Sequence, residues 1–358
     1  MNTAKPDTKR LVWVDYMKAF SIVAVVLFHT QITPEVRTAV YLVCLPAFFF
    51  AAGLFTNTGL SPKEFFLRKT MRLLVPYLIW GLLTWVFWLL ILTRFSPTYD
   101  RTIAWWQPLL GMVYGRGTQL YHNVPLWFLC CMISLEWIYY LICRFTRKSI
   151  RWILIIGIGG IGCLLAYFGR NWVWGISAAC IILPVYAVGA EYKAFFKDTL
   201  RTLSSLIWIP VLVVSLAGLW VGYTYNGNIA LCDTVIGNPC LYYLTAFSAI
   251  GLWMAVAMLL EKSRLPLRIL RYTGQNTLLI LCVHMATFTI VKGIGMLCHV
   301  PFPFWATTAG SIALCLSTIL LLLPAAYLIH RYCPWMISPF PLSTKIGSCA
   351  SKLSESKL

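Results

Sequence analysis

Ten stretches of this chain, near residues 11–31, 38–57, 73–93, 125–143, 152–169, 173–190, 204–223, 240–260, 273–292 and 305–330, are each apolar over a length that crosses about 30 Å of hydrocarbon as a helix. Lipid offers a peptide group no hydrogen-bond partner, so such a chain must satisfy its backbone within the spans themselves. The expected fold is an all-α polytopic membrane protein with about ten transmembrane helices. Composition agrees, because 60% of the residues are hydrophobic, only 11% are charged and the mean hydropathy is +0.77. A soluble globular domain of ordinary usage is excluded.

A net charge of +18 would point to nucleic acid in a soluble protein, but here its distribution points elsewhere. With a cytoplasmic N-terminus, only Arg37, Arg94, Arg101, Arg116, Arg170 and Lys292 fall on outer segments and Lys18 lies within the membrane, which leaves 22 of the 29 basic residues on inner segments. By the positive-inside rule this excess places both termini in the cytoplasm. Residues 1–10 then form a cytoplasmic segment, 11–332 the transmembrane domain and 333–358 a short cytoplasmic tail that reads as disordered. The first apolar run is about twenty residues long, carries charge and precedes no small-residue cleavage site, so it reads as a retained helix rather than a signal peptide.

That first helix carries Asp15, Lys18 and His29, and ionisable groups in a span are functional by default. At 100° and 1.5 Å per residue, Lys18 and His29 share a face roughly 16 Å apart, with Asp15 one turn before Lys18. A neutral imidazole near the outer end of its helix is the usual general base for a hydroxyl nucleophile. Lys18 and Asp15 serve either the chemistry or a structural pair. Glu136, in the fourth span, needs a partner, for which Lys18 or a histidine is the candidate, and it either fastens two helices or acts directly. His284, in the ninth span, is either catalytic or an interhelical hydrogen-bonder.

Other features are quieter. Gly157, Gly159, Gly160 and Gly162 match a dinucleotide pattern, yet they lie mid-span with no strand before them, so helix packing is the reading. The thirteen cysteines show no Cys-x-x-Cys spacing, and no metal centre is expected. Cys232, Cys240 and Cys298 fall in or beside outer loops, either as free thiols or with Cys232 bridged to Cys240. The outer loop near 94–124 is rich in aromatics and reads as re-entrant or interfacial.

The stretch Trp13-Val14-Asp15-Tyr16-Met17-Lys18-Ala19-Phe20-Ser21-Ile22-Val23, leading to His29, resembles the first helix of acyltransferase family 3, whose pattern is a basic residue, ten intervening residues and a histidine. Arg is the commoner basic residue there, and Lys18 lacks its bidentate geometry. The segment from Arg68 to Tyr77 is similar to the family's basic run entering the third helix. Pro125-Leu126-Trp127-Phe128-Leu129 is similar to its Trp-Phe-Leu segment, and Gly274-Gln275-Asn276-Thr277-Leu278 through His284 to its ninth-helix element.

This resemblance covers nearly the whole chain and implies an O-acyltransferase of the bacterial cytoplasmic (inner) membrane. It would move an acyl group, acetyl by preference, from cytoplasmic acetyl-CoA to a hydroxyl of a cell-surface or lipid-linked carbohydrate, as in polysaccharide biosynthesis. Arg68, Lys69 and Arg72 would meet the CoA phosphates, the pantetheine arm would pass Lys18, and His29 would deprotonate the acceptor. Asp15, Glu136 and His284 join the expected catalytic set, with Trp127 and Asn276 at the acceptor, although Trp127 suits an interfacial anchor equally well. Acyl-CoA, the carbohydrate and membrane lipid are the expected partners, without a resident cofactor or nucleic acid, and a homo-oligomer is compatible. The competing reading is a transporter of a sugar or organic anion, whose membrane charges sit on broken helices of repeated halves. Pro184 and Pro210 interrupt two spans, but the pattern of Asp15, Lys18 and His29 does not repeat.

Overall fold

The computed structural model describes residues 10–95, 102–227, 229–263, 265 and 267–337. Among these the chain is helical apart from turns and one isolated bridge between Ala230 and Val235. The expected N-terminal segment up to residue 9, and the tail beyond residue 337, lie outside the described residues. We label the main helices α1 (Val12–Phe28), α2 (Pro34–Cys44), α3 (Pro46–Leu54), α4 (Pro62–Leu92), α5 (Gln107–Tyr114), α6 (Trp127–Phe145), α7 (Lys148–Tyr167), α8 (Ile176–Glu191), α9 (Trp208–Tyr225), α10 (Pro239–Lys262), α11 (Arg268–Gln275), α12 (Thr277–Leu297) and α13 (Thr308–Tyr332).

Nine helical segments among the described residues are long and apolar enough to cross a membrane. The remaining expected span is α1, which at 17 residues extends only about 26 Å. Its length and its charges have one cause. Trp13, Met17, Ile22 and Val26 are fully enclosed, with α2, α10, α11 and α12 packed around them. A helix sheathed by protein need not match the hydrocarbon in length or be apolar on every face. By contrast α7 and α9 bury only 17% of their membrane windows and form the lipid-facing rim.

Three spans depart from simple rods. The second breaks at Leu45, because Pro46 has no N–H to continue α2 and instead opens α3. The Trp253 indole of α10 takes up the Val43 carbonyl there at 2.8 Å. The third span starts at Pro62 rather than near 73, under a Ser61/Glu64 capping box, and makes a π-helical turn at Phe66–Thr70. Arg68, Lys69 and Arg72 therefore ride on its first turns. The ninth span is interrupted at Asn276 between α11 and α12.

The glycine run of α7 is a packing surface. A Cβ on Gly162 would meet the Ile181 backbone nitrogen at 2.6 Å, and one on Gly159 would meet the Pro184 ring at 2.9 Å, whereas Gly157 and Gly160 face open space. Pro184 thus packs beneath Gly159 inside an unbroken α8. Pro210 sits in the first turn of α9, where a missing N–H is harmless. The loop at residues 102–123 folds onto the bundle through α5, with the Tyr77 hydroxyl donating to the Met112 carbonyl at 2.6 Å and the Trp85 indole to the Trp105 carbonyl at 2.9 Å. Cys232, Cys240 and Cys298 are free thiols, and burial pushes the Cys232 thiol up to about 12.

Candidate active site

His29 caps the C-terminal end of α1, and His284 lies seven residues into α12. The two imidazoles meet edge to face with ring centroids 5.1 Å apart. Both are oriented in the same way. His29 Nδ1 lies 2.8 Å from the Val25 carbonyl, and His284 Nδ1 lies 2.9 Å from that of Ile280 and 3.0 Å from that of Leu281. A carbonyl only accepts, so each Nδ1 carries a proton, and in the neutral ring each Nε2 keeps its lone pair. His284 is wholly buried and its Nε2 has no protein partner. His29 is half-buried, so its lone pair is the one a substrate can reach.

Asp15, in the first turn of the buried helix, gathers the charges at the other end. Its carboxylate is 5% exposed and accepts from Arg10 Nε at 2.8 Å and Gln275 Nε2 at 3.3 Å. Lys18 Nζ stands at 3.6 Å and Arg271 Nε at 3.9 Å. Three cations on one anion leave a local surplus of positive charge. Arg72, exposed on α4, lies within electrostatic reach of Lys18 and adds to it. The cluster depends on a close helix approach, since a Cβ on Gly274 would fall 1.8 Å from the Asp15 carbonyl oxygen.

Glu136 pairs with neither Lys18 nor a histidine. It is buried, and Lys69 Nζ reaches its Oε1 at 3.0 Å, while the same ammonium also donates to the Phe55 carbonyl at 3.5 Å. The structure therefore joins one expected catalytic residue to one expected donor-binding residue in an ion pair between α4 and α6. Opening such a pair leaves a buried charge unmatched. We expect Glu136→Gln to lower the midpoint of thermal unfolding in detergent more than the paired change Lys69→Met with Glu136→Leu, which a direct catalytic role does not require. Arg68 is exposed and turned back onto Glu64 at 3.7 Å. Trp127 is buried at the head of α6, beside Gly117 and edge-on to Phe128. Asn276 donates to the Tyr272 carbonyl and takes a hydrogen bond from His330 Nε2 at 2.7 Å, which ties the helix break to α13.

Several contributors escaped the sequence reading. Arg10, Arg271 and Gln275 surround Asp15 but lie outside the apolar core of any span, where basic residues read as topology. His330 sits at the end of α13. Asn123 spans from the loop before α6 to the Cys282 carbonyl at 2.7 Å and to Thr84 Oγ1 at 3.2 Å, which clamps the start of α6 to α12 two residues from His284. Only Arg10 carried a usable signal, lying one helical turn and a fraction before Asp15.

The bundle thus carries oriented imidazoles at one end of its central helix and surplus cations at the other. The acyltransferase domain family matches residues 11–327, essentially the whole chain, and the protein belongs to it, as acyltransferase family 3. It is thus a multi-pass membrane acyltransferase. Comparison with curated proteins and with solved structures gives no match.

Proposed function

We propose that this protein transfers an acetyl group from cytoplasmic acetyl-CoA to a hydroxyl of a cell-surface or lipid-linked carbohydrate, within the bacterial inner membrane. The observation that carries the reading is the division of α1. Its Asp15 end holds Arg10, Lys18 and Arg271 with a charge surplus suited to the CoA phosphates. Its other end holds His29 with Nε2 free, roughly 16 Å along the helix from Lys18 and about 21 Å from Asp15. The pantetheine arm has that distance to cover from phosphates to thioester. His29 Nε2 removes the proton as the acceptor oxygen attacks the acyl carbonyl. The tetrahedral adduct then collapses, the C–S bond breaks, and the proton passes from His29 to the departing CoA sulfur. His284, enclosed and edge-on, holds the plane of the His29 ring.

The donor path predicts separate effects on affinity and turnover. Lys18→Ala and Arg72→Ala in lipid nanodiscs should each raise the KM for acetyl-CoA about tenfold, the size of one lost charge-assisted contact, with kcat changed far less. Unchanged KM in both variants contradicts a donor path along this face.

A further inference from the structure

Arg37 stands against two expectations. The charge distribution assigns 22 of the 29 basic residues to inner segments and this one to the opposite side, so topology does not call for it. It also lies in the first turn of α2, where the helix dipole opposes a cation. No acid compensates it. Arg37 enters no ion pair among the described residues, and Glu35, two positions earlier and about 200° around the helix, points away from it.

An aromatic face holds the side chain instead. The guanidinium lies 4.6 Å over the Phe28 ring. Phe28 is itself fixed between Tyr41, with centroids 4.8 Å apart, and His29, at 5.0 Å, and the Tyr41 hydroxyl accepts from the Leu231 N–H. Guanidinium and imidazole are therefore no farther apart than the two distances to Phe28 laid end to end. One sugar residue, hydrogen-bonded at each side, bridges that span. A guanidinium stacked on a ring keeps its N–H edge free, and that edge matches the two oxygens of a carboxylate or phosphate. Gln31 and Thr33 to Arg37 are all exposed, so an anion reaches the guanidinium directly from water.

We propose that Arg37 selects an anionic acceptor, a sugar residue whose carboxylate or phosphate sits on the guanidinium while one of its own hydroxyls faces His29 Nε2. An uncharged sugar leaves the guanidinium to water and gains nothing from it, so specificity follows charge. The inference rests on the acyltransferase reading for the fate of the hydroxyl, but not for the binding of the sugar.

The test reads binding without donor, on the full chain in phosphatidylcholine nanodiscs and phosphate-free buffer. Phenylglyoxal reports access to Arg37 and diethyl pyrocarbonate access to His29, each followed by peptide mass spectrometry. The probes are a panel of hexuronic acids and hexose 6-phosphates, each beside its neutral hexose, with inorganic phosphate alone as the bare anion. At a concentration that fills about four-fifths of the sites, at least one anionic sugar should slow both reactions about fivefold. Its neutral counterpart should slow neither, and inorganic phosphate should shield Arg37 alone. Arg37→Gln should abolish the shielding of His29, and Arg37→Lys should keep part of it. Because Arg37 is exposed, neither variant threatens the fold. Lys292, which also has no ion pair among the described residues but lies 5.7 Å over Phe302, is the control for net charge, and Lys292→Gln should leave the shielding intact. Shielding of His29 that is equal for charged and neutral sugars, that survives Arg37→Gln or that is lost in Lys292→Gln would overturn the proposal. So would the absence of shielding by the whole panel, or nanodiscs of phosphatidylglycerol that shield Arg37 and His29 without any sugar, since a lipid headgroup is then the occupant. Acetyl transfer on the same preparations separates the two ideas. Shielding without transfer keeps the anion site and refutes the enzyme reading, whereas transfer to neutral and anionic sugars with equal kcat/KM does the reverse.

Discussion

His29→Ala should reduce acetyl transfer about 10²- to 10⁴-fold, the usual contribution of a positioned general base, and leave the KM for acetyl-CoA close to that of the wild type. The imidazole is half-buried at the last turn of α1, bonded only to its own helix through Nδ1. Truncation therefore removes the base without opening the core, and chromatographic behaviour and unfolding temperature should hold. His284→Ala is the useful contrast. That ring is fully enclosed between His29 and Phe288, so its loss leaves a cavity, lowers stability and releases the His29 ring. A kcat profile over pH decides between the roles, because loss of a base flattens the limb that loss of a positioning ring only displaces. If His29→Ala keeps wild-type turnover, proton transfer occurs elsewhere in the bundle.

Asp15→Asn should produce the other large effect, and on stability before catalysis. The amide keeps the shape of the carboxylate but leaves Arg10, Lys18 and Arg271 facing one another without their anion. Removing one partner of a buried ion pair costs about 3–5 kcal/mol. Arg10 and Arg271 are more than 40% exposed and shed part of that to water, so a loss of about 2–4 kcal/mol is expected. Thermal unfolding in detergent measures it, and adding Arg271→Gln to Asp15→Asn should recover part of the loss. A catalytic acid at this position predicts the opposite pattern, an unchanged unfolding midpoint with kcat lost.

What the sequence made legible follows from what lipid makes obligatory. Every span had to be an apolar run that satisfies its backbone as helix, and those runs are visible without knowing any neighbour, although the breaks at Leu45 and Asn276 within two of them are not. The alignment of Lys18 with His29 was legible too, because α1 is regular between them. Pair identity was not. Glu136 found Lys69 rather than Lys18 because the π-helical turn at Phe66–Thr70 carries Lys69 onto α6, and helix registers shifted by an irregular turn leave no mark in periodicity. The contact of His29 with His284 depends on the crossing of α1 and α12, which are separated by more than two hundred residues of chain. Asp15 stood out at once, but its role as the anchor of three cations required α11, a short helix whose basic residues look like ordinary topology signals.

The central claim is that α1 joins a cytoplasmic donor to a base at the opposite end of the membrane. It is tested most directly with radiolabelled acetyl-CoA added outside sealed vesicles of either orientation, carrying native lipid-linked sugars and either the wild-type protein or His29→Ala. The account predicts label in glycan or glycolipid only when the cytoplasmic face is exposed and the histidine is present. Incorporation from the other face, or incorporation undiminished in His29→Ala, would contradict it, and so would neither incorporation nor CoA release in any vesicle.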